Sequence, residues 1–73
     1  MSLLNELNDA IIYFSHASTA ADHSHAVAYG EAVLNHLPPL TRLTPQEREL
    51  ALDLAYSVGD YNLIKSLRLQ ENK

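Results

Sequence analysis

The sequence predicts an all-α fold of four short antiparallel helices arranged as two helical hairpins. Three observations carry that reading. Apolar residues recur at spacings of three and four along most of the chain, the period of one helical face. Pro38 and Pro39 interrupt the pattern near its middle, where the residue before a proline is pushed out of the helical region and neither ring can donate a helix hydrogen bond. The stretch from Leu43 to Leu69 carries its own helix start, its own turn and two apolar faces. With 73 residues the chain makes one domain, near the size at which a single core barely offsets the entropy of ordering it. A partner or an oligomer is therefore expected.

The first helix is placed over residues 3–17, with Leu4, Leu7, Ile11 and Phe14 on one face. Leu3, Ala10, Ile12 and Tyr13 widen that stripe beyond what one core contact needs, so the helix reads either as a central core helix or as one whose second face receives another protein. Residues 18–21 make a short connection of small and polar residues, with Asp22 or Ser24 as the expected cap of the second helix, residues 22–37. Its face is Ala26, Val27, Gly30, Val33, Leu34 and Leu37, with Tyr29 at the edge. Gly30 costs about 1 kcal/mol against alanine in a helix interior and reads as a notch where another helix comes close.

After the prolines, Thr44 sits at an N-cap, Pro45 at the first helical position and Glu47 three residues on, which together form a capping box. The third helix, residues 44–58, has Leu50, Ala51, Leu54, Ala55 and Val58 as its core face, with Leu52 and Tyr56 four apart on a flank. Gly59 closes it in the left-handed conformation and Asp60 caps the fourth, residues 60–69, where Tyr61, Ile64 and Leu67 share one side with Leu63 beside them. The polar QENK tail is expected to fray.

Composition narrows the function. No cysteine is present, so neither disulfides nor thiolate zinc staple the fold. No apolar run approaches the roughly 20 residues of a membrane span, and the start MSLLNEL lacks the basic region of a secretory signal; a cytoplasmic location without membrane insertion is expected. Net charge is −4, and residues 1–41 hold Glu6, Asp9, Asp22 and Glu31 with no Lys or Arg, whereas all five basic residues come later, offset by five acids. That leaves no uncompensated basic stripe for phosphates, which argues against nucleic-acid binding.

Chemistry-bearing motifs are sparse. His16, His23 and His25 with Asp22 invite a metal reading, but two histidines two apart diverge by about 200° on a helix and no fixed further ligand accompanies them; no metal and no cofactor are expected. His36 near a helix C-terminus opposes the macrodipole when protonated. No nucleophile stands with a base, Glu47, Glu49 and Asp53 lie on a solvated side, and the isolated Gly30 and Gly59 make no phosphate loop. A non-enzymatic protein is expected. LTPQERELALDLA, followed by a turn and a short helix, resembles the opening of the DNA-binding domains of response-regulator-type activators. The chain stops at Lys73, before a recognition helix, so that likeness suggests at most a mimic offered to a protein partner.

A wider resemblance runs through DHSHAVAYGEAVLNHLP, from Asp22 to Pro38, which is similar to the second helix of a tetratricopeptide repeat with its closing proline: Ala26, Tyr29, Leu34 and Pro38 fit. ALDLAYSVGDYNLIKSL, from Ala51 to Leu67, resembles the end of a first helix, the turn and the start of a second. Asp22 to Asp60 is 38 residues against a family period of about 34, which assigns the extra length to the crossing from Pro39 to Leu43, and Ile64 stands where the family has a small residue. Within that family the order of ADHSHAVAYGEAVLNHL and LALDLAYSVGDYNLIKSL is similar to the small co-chaperones of bacterial type III secretion needle subunits. The resemblance implies a cytoplasmic chaperone that pairs with a second small helical protein, as a hetero-oligomer or alternatively a homodimer, and holds the amphipathic C-terminal helix of the needle subunit. First helices line the concave side in such folds, so Ile11, Ile12, Tyr13, Leu52 and Tyr56 are the expected protein-binding residues, with ordinary core packing as the alternative for each. The competing functional reading is a small regulatory or phage-encoded inhibitor that binds a transcription factor or another host protein.

Overall fold

The computed structural model describes residues 2–71, and its regular elements are helices: α1, Leu3–Ser15; α2, Ala20–Asn35; α3, Pro45–Val58; and α4, Tyr61–Glu71, with a 3-10 turn at Leu40–Arg42 between α2 and α3. Consecutive helices pack as two hairpins, α1 with α2 and α3 with α4, and α3 also lies against both helices of the first hairpin. The shortest extent is 16 Å, which fits two layers of helix. Every helix therefore keeps an open face.

Each helix start follows from a side-chain oxygen that accepts an otherwise orphaned amide. Ser2 accepts from the Asn5 amide at 3.2 Å. At α3 the capping box forms in full, with the Glu47 amide donating to Thr44 Oγ1 at 3.2 Å and the Thr44 amide to Glu47 Oε1 at 2.9 Å. Asp60 Oδ1 accepts from the Leu63 amide at 3.2 Å and starts α4. Helix α2 departs from expectation: Thr19, not Asp22 or Ser24, is its cap, accepting from the Asp22 amide at 3.1 Å. The helix consequently begins at Ala20, because Ala20 and Ala21 are strong helix formers and Thr19-x-x-Asp22 has the spacing of a capping box. Thr19→Ala is expected to cost about 1 kcal/mol, read as a fall in the urea midpoint, whereas Ser24→Ala should change stability by less than about 0.5 kcal/mol.

The helix ends differ too. Helix α1 stops at Ser15, two residues short of the expected boundary, since Thr19 must be extended to cap α2 and the His16 amide turns back to the Ile12 and Tyr13 carbonyls. Helix α2 stops at Asn35 ahead of Pro38, and His36 Nδ1 donates to the Ala32 carbonyl at 2.7 Å. Gly59 closes α3 at φ 78°, and the Gly59 and Asp60 amides both donate to the Ala55 carbonyl, at 2.9 and 3.0 Å. Helix α4 runs through Glu71 rather than fraying after Leu69, as nothing in Gln70 or Glu71 breaks a helix; Asn72 and Lys73 of the QENK tail lie outside the described residues.

The core joins both hairpins. Leu7, Ala10, Val33, Leu34, Ala51, Leu54 and Ala55 are buried together with Ile64 and Leu67 of α4 and with Leu43, which the 3-10 turn delivers to the start of α3. That turn lies in the crossing between the hairpins, and Ile64, 6% exposed, belongs to the buried cluster. Gly30 marks a close approach of α2 to its neighbours: a Cβ there would lie 2.8 Å from Val58 Cγ1, 3.1 Å from Leu54 Cδ1 and 3.3 Å from Phe14 Cε2.

Candidate functional site

With the core closed over Leu7, Leu54 and Leu67, the large apolar side chains left outside among the described residues are Ile12, Tyr13, Tyr56, Tyr61 and Leu69, each between 44% and 78% exposed. Ile12 and Tyr13 are the two that lie in a concavity. They line a groove of about 570 Å³ between α1 and α2, together with Asp9 from α1, His16 and Ala17 just after it, and Asp22 and Tyr29 from α2. Asp9 and Tyr13 lie four apart on one stripe of α1, and His16, its C-cap, follows three residues on. The Tyr13 and Tyr29 rings meet edge to face, 5.7 Å between centroids and 77° between planes, an arrangement that favours aromatic pairs beyond the area they bury.

The groove's lining residues all belong to the first hairpin. Gly30 faces Val58 and Leu54 of α3, and Tyr29, one residue earlier, is rotated from it by about 100° around α2. Its chemistry is mixed: aromatic faces and one isoleucine form the walls, and two carboxylates provide the only formal charge among the lining residues. A second, smaller concavity between α1 and α3 is lined by Leu4, Asn8, Gln46, Glu49, Leu50 and Asp53. It is more polar.

The five residues expected to bind protein differ in their surroundings. Ile12 and Tyr13 share the α1/α2 groove, Ile11 and Leu52 are half-buried against the core, and Tyr56 is 51% exposed on α3 and lines neither concavity. Tyr29 lies at the edge of the core face, as expected, and also lines the groove; Asp9 is the lining residue that the apolar pattern does not single out, and its spacing with Tyr13 is the signal for it. The histidines are dispersed. His16 borders the groove, His23 sets its ring against Phe14 at 5.6 Å and 78°, and His25 is exposed. Among the described residues no three His, Cys, Asp or Glu side chains gather as metal ligands, and no helix is long and apolar enough to cross a membrane.

No family model matches the chain, and no curated protein or solved structure is significantly similar to it.

Proposed function

We propose that this protein is a non-enzymatic helical binding module, a cytoplasmic chaperone that holds an amphipathic helix of a secretion-system needle subunit together with a second small helical partner. The observation that carries the reading is the groove between α1 and α2, where Ile12 and Tyr13 remain 52% and 44% exposed beside Tyr29. A helix laid against the open side of α1 would cover its apolar ridge in the manner of helix-in-groove recognition. Tyrosines suit that task, since they offer a large contact area with few rotatable bonds. The resemblance of the two hairpins to tetratricopeptide units supports the same reading, because such hairpins stack on neighbours to complete their burial.

Titration of a labelled peptide corresponding to the needle subunit's C-terminal helix, with and without the second partner, tests it. Tyr13→Ala is expected to weaken that binding about 10- to 100-fold, the loss typical of a central aromatic contact, with little change in the unfolding midpoint. A peptide that binds wild type and Tyr13→Ala equally, or neither, would remove the groove from the proposal.

A further inference from the structure

Helix α4 has two stripes. Ile64 and Leu67 are buried against α3 and the 3-10 turn, while Tyr61, Lys65 and Leu69 follow one another at intervals of four with Arg68 alongside, all exposed. Tyr61 at 78% and Leu69 at 59% are the most open of the large apolar side chains. Between Tyr61 and Gln70 there is no acid, so the outward stripe pairs two cations with two apolar anchors. The α1/α2 groove has the opposite composition, with Asp9 and Asp22 beside Ile12, Tyr13 and Tyr29, on a hairpin whose sequence has no Lys or Arg. Both surfaces belong to the same chain. They sit on different hairpins, since every residue lining the groove belongs to the first.

We infer that a second copy of this chain docks its α4 into the α1/α2 groove, Lys65 and Arg68 meeting Asp9 and Asp22 while Tyr61 and Leu69 cover Ile12, Tyr13 and Tyr29. The contact is heterologous: each copy offers the groove to one neighbour and α4 to another, so association proceeds head to tail and does not close at a dimer. This extends within an assembly the way α3 already lies on the first hairpin, the stacking mode of helical-repeat arrays. Opposite charges at the rim fix which surfaces meet and make the contact salt-sensitive. The inference stands apart from the client reading, because it is measured on the purified chain alone. Where a client helix does bind, it competes with the neighbouring copy.

Sedimentation velocity from about 10 μM to about 1 mM, the range of weak specific contacts, is expected to show the average mass rising with concentration and passing that of a dimer. Raising NaCl from about 0.05 M to about 0.5 M should weaken association about tenfold. Asp9→Lys with Asp22→Asn should leave a monomer, and so should Lys65→Glu with Arg68→Gln; Asn is used at position 22 because a cation near the α2 N-terminus would oppose the helix dipole. An equimolar mixture of the two double variants, or all four substitutions in one chain, should regain association, while circular dichroism reports that each variant is folded. A wild-type monomer at about 1 mM, a mass that levels off at the dimer, or four substitutions that fail to restore what two abolish would each overturn the inference.

Discussion

Leu54→Ala is expected to cost about 3–5 kcal/mol, a large share of the stability of a domain this size. Leu54 has no solvent-exposed surface and is one of three large side chains, with Leu7 and Leu67, that are fully enclosed. Truncation removes the transfer free energy of its buried methyl groups and adds a cavity term that depends on how well the neighbours can collapse. Here collapse is poor, because the wall opposite Leu54 Cδ1 is Gly30, which has no side chain to move into the space. That places the cost toward the upper part of the range. A domain of this size has about 4–10 kcal/mol of stability in total, at roughly 0.05–0.15 kcal/mol per residue. With a urea slope of about 1 kcal/mol/M, the midpoint should fall by about 4–5 M or the cooperative transition should vanish. Leu69→Ala provides the contrast. Leu69 is 59% exposed, and its truncation should move stability by less than about 0.5 kcal/mol.

What the sequence disclosed and what it withheld divide along the range of the interactions. Thr44, Pro45 and Glu47 announce the start of α3 because a capping box involves residues only three apart. Gly59 and Asp60 announce the corner for the same reason, and Gly30 could be read as a notch because its helix-propensity cost asks for a packing explanation. At Thr19 the local signal was present but was overruled by Asp22 and Ser24, which are equally good caps considered singly. The two alanines between Thr19 and Asp22 decide the competition, since they add helical residues at almost no entropic cost.

The groove was hidden for a different reason. Periodicity along α1 shows that Ile12 and Tyr13 exceed the needs of one face, but whether they meet Tyr29 depends on the rotation of α2 about its axis, which Gly30 sets by seating against Val58 and Leu54. On α1, Ile11 packs against the core while its neighbour Ile12 remains open. A helical wheel gives the width of an apolar stripe. It does not say which part of the stripe the next helix covers.

Gly30 is therefore the position where one substitution should disturb fold and groove together, and Gly30→Val is expected to destabilise the protein by about 3 kcal/mol. Replacing glycine gains up to about 1 kcal/mol of helix propensity with alanine and less with the β-branched valine. Against that gain, even the first carbon would stand 2.8 Å from Val58 Cγ1 and 3.1 Å from Leu54 Cδ1, inside normal contact distance, and valine adds two methyl groups to the same crowded volume. Overpacking of a closed core costs typically 1–3 kcal/mol, and the stiff χ1 of both valines leaves little room to relax. Helix α2 must then move away from α3 or turn about its axis, and a turn displaces Tyr29 from Tyr13. Val58→Ala removes the nearest obstacle, so Gly30→Ala combined with Val58→Ala should be more stable than the sum of the single changes by about 1 kcal/mol, as expected for residues in contact. Urea melts of the four proteins in that cycle measure the coupling, and additive changes would mean that the notch tolerates a side chain. In Gly30→Val the Tyr13–Tyr29 nuclear Overhauser contacts should weaken in whatever fraction remains folded, which separates a rotated α2 from a uniform loss of stability.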